Sequence, residues 1–258
     1  MNKTVLITGA SSGIGLELSK LFARKNYNLV IVSQNEENLE KAKSIIHREN
    51  TKIEIYAIAK DLSKSSVHDE IFEYTVQNSI QVDILVNNAG IQVYGKFHDT
   101  NIEDILNLMN VNMFAMTKLT RLFVDGMVKR GDGKILNLAS TGAFQPCPLN
   151  AAYCASKAFV LYLSEAMGEE LKGTGVSITT LCPGATKTNF AKRAKIEDIK
   201  LFKGKLLEAS KVAKIGYKAL MNGKSVVMTG LSDKFVAQSI KFIPRSMVTK
   251  IGMNMMKK

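Results

Sequence analysis

Tyr153 and Lys157 stand four residues apart in AAYCASKAFVLYLSEAMGEEL, residues 151–171. On a helix that spacing puts both side chains on one face, so a phenol and an ammonium can share one space. A free tyrosine, with a pKa of about 10, is a poor proton donor at neutral pH. A neighbouring ammonium favours the phenolate and lowers that value, which is what proton transfer to a carbonyl oxygen calls for. The same spacing also fits a lysine solvated on an exposed helix. Ser140 closes the run GKILNLAS thirteen residues before Tyr153. There its hydroxyl could hold a substrate oxygen or simply cap the strand.

A second stretch, TGASSGIG at residues 8–15, offers different chemistry. Gly9 permits a sharp turn, Gly13 lets backbone approach a pyrophosphate, and Gly15 permits close helix packing. The free N–H groups and positive dipole end of the following helix favour phosphate oxygens. Gly9, Ser11, Ser12, Gly13, Ile14 and Gly15 are therefore the expected phosphate cradle. In such folds an acidic residue after the second strand holds the ribose 2′-OH of NAD, and an arginine accepts the phosphate of NADP. Here that place reads Ser33-Gln34-Asn35, with neither marker. Neutral side chains can hydrogen-bond a 2′-phosphate without repelling it, so NADP(H) is favoured over NAD(H). Asn35 also fits as the cap of the next helix, with Glu36 and Glu37 in its first turn.

These residues need a frame. KTVLIT (3–8), NLVIVS (28–33), KIEIYAIA (52–59), DILVNNAG (83–90), GKILNLAS (133–140), VSITTLCPG (176–184) and KSVVMTG (224–230) read as strands. Helical spacing separates them, with one long helix over 102–129 and another over 151–173. Such alternation predicts an α/β fold, a Rossmann-like doubly wound parallel sheet of about seven strands with helices on both faces. No repeat or linker interrupts it, so residues 1–258 read as one domain, with a flap at 186–214 and a tail at 231–258.

TGASSGIG, NNAG at 87–90, Asn112, Ser140, YCASK at 153–157 and PGATKT at 183–188 together resemble the short-chain dehydrogenase/reductase family, over roughly residues 3–230. Extended members of the family carry a GxxGxxG turn and a longer C-terminal part, which this chain lacks. The resemblance implies an oxidoreductase moving a hydride between a nicotinamide cofactor and a carbonyl or alcohol, such as a ketone or 3-oxoacyl reductase. It implies Tyr153 as general acid or base, Lys157 on the tyrosine and the nicotinamide ribose, and Ser140 on the substrate oxygen. Asn112 would organise a proton-relaying water. Asp61 and Leu62 would lie at the adenine, and Asn88, Ala89 and Gly90 along the cofactor, with Asn87 steadying the central strands. Pro183, Gly184, Thr186 and Thr188 would meet the nicotinamide. The alternative is a regulatory or binding protein on the same scaffold, possibly attached to a membrane surface by its tail.

Charge separates the two ends of the chain. Residues 1–185 hold 18 Lys/Arg and 19 Asp/Glu, whereas residues 186–258 hold 17 and 4, so the net +12 resides in the last part. Lys192, Arg193, Lys195, Lys200, Lys203 and Lys205 crowd the flap, either as a solvated surface or for a substrate with an anionic, carrier-linked handle. In the tail, Met247, Val248, Ile251 and Met255 form a stripe with Arg245, Lys250, Lys257 and Lys258 around it. That pattern fits packing or a subunit contact better than a membrane surface, which it also permits. Nucleic acid is not expected, since no aromatic platform or recognition motif accompanies the charge. Cys147, Cys154 and Cys182 show no CxxC spacing and the three histidines are scattered, so no metal site is expected. The short apolar N-terminal run is not a signal peptide, and a cytoplasmic protein is expected. The family pairs through the helices at 102–129 and 151–173, implying a homodimer or homotetramer.

Overall fold

A computed structural model describes residues 2–194, 196–204 and 206–257; Lys195, Lys205 and Lys258 lie outside the described residues. The chain opens with β1 (Thr4–Thr8), α1 (Gly13–Arg24), β2 (Asn28–Ser33), α2 (Glu36–Glu49) and β3 (Ile55–Ala59). After α3 (Val67–Gln77) and β4 (Val82–Asn87) come α4 (Ile102–Met109) and α5 (Ala115–Arg130), then β5 (Gly133–Leu138), α6 (Ala151–Glu170) and β6 (Val176–Cys182). The flap holds a short parallel pair, β7 (Thr186–Lys187) and β8 (Leu207–Glu208), around α7 (Asn189–Arg193). The remainder is α8 (Ala209–Met221), β9 (Val226–Met228), α9 (Leu231–Ser239) and α10 (Arg245–Met256).

Seven strands form one sheet in the order β3-β2-β1-β4-β5-β6-β9, every neighbouring pair parallel. Strands covered on both faces must be apolar throughout, and β1 is buried at every residue. Alternate residues feed two cores. Val5 and Ile7 pack with Leu18 and Phe22 of α1 and Val212 and Leu220 of α8. Leu6 packs on the opposite face with Ile71 of α3 and Leu119, Phe123 and Met127 of α5. The crossovers leave β1 to opposite sides, so the carboxyl ends of β1 and β4 frame the crevice where ligands bind in such sheets.

That crevice is stitched by side chains. The Thr8 hydroxyl accepts from the N–H groups of Asn88 and Ala89, both at 3.0 Å. The Asn88 amide donates to the carbonyls of Thr8 at 2.9 Å and Gly9 at 3.1 Å. Deeper in, Asn87 donates to Thr120 and Asn137, and Asn137 to Ser164, joining β4 and β5 to α5 and α6.

The structure departs from the sequence reading in three elements. β3 starts at Ile55 rather than 52, and β9 is only three residues long. The long helix expected over 102–129 is interrupted by a π turn at Asn110–Phe114, which carries the buried Asn112. Single π turns of this kind concentrate at functional sites.

A methyl group at Gly15 would lie 2.3 Å from the Gly9 carbonyl oxygen and 2.5 Å from the Asn88 amide nitrogen. Both are held by the stitching above, so neither yields cheaply. Gly15→Ala is expected to destabilise the fold by about 1–3 kcal/mol and to weaken nucleotide binding, as read by urea denaturation and cofactor fluorescence titration.

Candidate active site

At the carboxyl end of β1 the backbone turns through Gly9 (φ +65°) and Gly13 (φ +57°) into α1. Ser12, the N-cap of α1, makes no side-chain capping bond, and the first turn holds no acidic residue. The leading N–H groups therefore have no side-chain acceptor, which suits an anion. Arg193 reaches over from α7 and donates to the Ser12 hydroxyl at 3.2 Å, adding a cation at the same turn. At the end of β2, Ser33 and Ser11 share a hydrogen bond of 2.8 Å.

The catalytic candidates collect at the ends of β5 and α6. Lys157 is buried and its ammonium donates to the Leu138 carbonyl at 2.8 Å, while lying 5.7 Å from the centre of the Tyr153 ring. Ser140 accepts from the Gly142 N–H at 3.1 Å, so it caps the short turn Thr141–Phe144 as well as facing Tyr153. Asn112 clamps Ile91 through its backbone, accepting from the N–H at 2.9 Å and donating to the carbonyl at 2.9 Å. It also donates to Ser156, whose hydroxyl donates to the Tyr153 carbonyl at 2.7 Å. The π turn thus locks the loop after β4 to the first turn of α6.

A cavity of about 300 Å³ connects these groups. One end is the glycine turn with Ser33, Gln34 and Asp61; the middle holds Ser140, Tyr153 and Lys157; the far end is walled by Phe190, Phe202, Met255 and Met256. The family model described as short chain dehydrogenase matches residues 3–198. The chain belongs to the short-chain dehydrogenase family.

Among its relatives, the chain is 35% identical to the ketoacyl reductase HetN of Nostoc sp. over 182 residues, 70% of this chain and 63% of that one. It is 31% identical to the very-long-chain 3-oxoacyl-CoA reductase of Rattus norvegicus over 196 residues, 74% of this chain and 62% of that one. It therefore matches less than two thirds of the length of either relative. A solved short-chain dehydrogenase from Sphingobium yanoikuyae, in complex with NADPH, superposes with a TM-score of 0.83 at 29% identity, over 93% of each chain.

In this short-chain dehydrogenase most of the residues expected at the site face the cavity, including Leu62, Ala89, Gly90, Pro183, Gly184, Thr186 and Thr188. Three do not, and each works from behind it. Gly15 packs on the Gly9 carbonyl, Asn35 spends its side chain capping α2 by accepting from the Asn38 N–H at 2.8 Å, and Asn112 is the buried clamp. Asn35 thus caps α2 from outside the cavity lining. The sequence reading missed Lys60, Phe202 and Met256, which line the cavity. Lys60 adjoins Asp61 and was legible by position; Phe202 and Met256 arrive by tertiary folding alone.

The electrostatics also differ from expectation. Burial pushes the Tyr153 phenol up strongly, only partly opposed by the Ser140 hydroxyl. Burial also pulls Lys157 down from 10.5 to about 8. Desolvation therefore outweighs the attraction expected between the two residues. Below pH 8 both folded and unfolded chains hold the lysine proton, so the folded state bears the full cost, about 3 kcal/mol. Between pH 8 and 10.5 the folded state releases the proton first and the cost fades. Lys157→Met, after losing one hydrogen bond, should stabilise the protein by about 2 kcal/mol at pH 7. The gain should shrink as pH rises toward 10.5, measured by urea unfolding across that range.

Proposed function

We propose that this chain is an NADP(H)-dependent carbonyl reductase for apolar ketones, 3-oxoacyl thioesters foremost. The observation that carries the reading is one cavity joining the glycine turn, the Ser140–Tyr153–Lys157 group and an apolar wall. The relatives named as ketoacyl and 3-oxoacyl-CoA reductases support the acyl substrate, and the Sphingobium structure with NADPH supports the cofactor.

The residues fit a nicotinamide dinucleotide. The cradle is made of glycines whose added Cβ atoms would meet backbone or Thr188, and α1 presents unfilled N–H groups. Ser33 and Gln34 border the place for a 2′-phosphate, beside Lys60, whose ammonium pairs with Glu70 and would have to share itself with the phosphate, and no carboxylate stands at the end of β2. When bound, the cofactor supplies hydride to the carbonyl carbon and, once oxidised, a positive charge that lowers the Tyr153 pKa.

Tyr153 donates its hydroxyl proton to the carbonyl oxygen as the C=O π pair moves onto that oxygen. Ser140 hydrogen-bonds the same oxygen while charge develops. Lys157 stabilises the resulting phenolate and holds the nicotinamide ribose. A Cβ at Gly90 would lie 3.3 Å from both Asn112 Oδ1 and Lys157 Nζ, so glycine at this position lets those two groups face the cavity side by side. Exposed Lys192, Arg193, Lys200 and Lys203 around the flap suit the anionic handle of a carrier-linked acyl chain.

The chain pairs with a second copy through α4, the π turn and α6, covering Ile102, Leu106, Phe114 and Tyr162, all left exposed on the single chain. A monomer in sedimentation velocity, at micromolar concentration, would end that reading.

Turnover is tested by following NADPH absorbance with a 3-oxoacyl thioester. Tyr153→Phe should lower kcat at least ~100-fold while leaving NADPH binding intact. Lys60→Ala should raise KM for NADPH about tenfold and leave KM for NADH nearly unchanged, the size of one charge-assisted phosphate contact. No NADPH oxidation with any ketone or thioester would refute the reductase reading.

A further inference from the structure

The tail stripe expected to pack as one face is split by the structure. In α10, Val248, Gly252 and Met256 are buried, and Gly252 lets the helix lie so close that an added Cβ would sit 3.1 Å from the Pro146 carbonyl. The Tyr94 hydroxyl donates to the Met256 carbonyl at 2.6 Å and fixes the end of the helix. One position around the helix, Met247, Ile251 and Met255 form a second stripe that is 53%, 48% and 40% exposed. Just before it stand Phe235 and Phe242, 73% and 87% exposed. Exposed apolar side chains gathered in one segment mark an interaction surface, where single scattered ones would not.

Lys234, Arg245, Lys250 and Lys257 are exposed in the same segment of the chain. Among the described residues none of the ion pairs uses any of them. The one acidic residue between 231 and 257 is Asp233, turned inward against Gly184 and Gly230. Met255 also lines the cavity, so the apolar stripe runs from the outer surface to the cavity wall. A second copy of this chain would set like charges against each other. An anionic bilayer takes both features together, apolar tips below the headgroups and cations among them. Among the described residues no helix is long and apolar enough to cross a membrane, so the contact is peripheral.

We infer that residues 231–257 dock on an anionic phospholipid bilayer and hold the cavity beside it, so that an apolar substrate enters from the lipid. The docking stands on this surface alone; the route of entry rests on the reductase reading above.

The full chain is sedimented with vesicles of phosphatidylcholine, alone or mixed with phosphatidylglycerol. Binding to the mixed vesicles should be at least ~10-fold tighter than to phosphatidylcholine and should weaken in high salt. Phe242→Ser combined with Met247→Gln and Ile251→Gln should reduce binding at least ~10-fold, as should Arg245→Gln with Lys250→Gln. Both variants should keep the parent melting temperature and NADPH affinity. Absence of vesicle binding, equal binding to both vesicle types, or unchanged binding by the apolar variant would overturn the docking. So would conversion of a self-associated species to monomer by that variant without vesicle binding, which would assign the surface to a second copy. Vesicle binding without turnover on any thioester would remove the reductase reading and the entry route while leaving the docking.

Discussion

The first turn of α1 lies against the carboxyl ends of β1 and β4 at a separation only glycine permits. Gly15 rests on the Gly9 carbonyl, and the Asn88 amide reaches both neighbouring carbonyls from β4. This contact brings the amino end of the helix to the crevice, and with it the N–H groups that can hold phosphate. It also fixes the loop after β4, which Asn112 then ties to α6 and so to Tyr153. The nucleotide end and the proton-donating end are therefore one rigid construction, spaced by the sheet.

Against that rigidity stands an electrostatic imbalance at the centre. The ammonium of Lys157 is buried on a backbone carbonyl, and the phenol of Tyr153 is desolvated beside it. Burial favours the neutral form of each, so the phenol holds its proton tightly and the lysine carries its charge at a cost. Strain of this sort is worth its cost only where a ligand's charge relieves it.

Much of this was legible in the sequence because the informative residues are local. TGASSGIG declares a turn and a helix start within eight residues, and Tyr153 and Lys157 declare a shared face within five. Parallel strands buried on both faces announce themselves as apolar runs, so a doubly wound parallel sheet of about seven strands followed from the alternation. What stayed hidden depends on distant neighbours. The dual exposure of the tail stripe follows from where the loop at 146–148 lies, not from the helix itself. The Asn112 π turn leaves no mark in a helical periodicity. The direction of the Tyr153 shift depends on how much water the assembled fold excludes, a sum that no pair spacing contains.

The hydrogen bond from Tyr94 to Met256 joins positions 162 apart, and the Lys200 N–H donates to the Lys257 carbonyl at the same end of the chain. By contrast, the contacts that shape the glycine turn close within the first ninety or so residues. On a chain emerging from the ribosome, the nucleotide cradle can therefore assemble well before the apolar wall exists. A cofactor that bound such an early form would stabilise the growing chain by mass action.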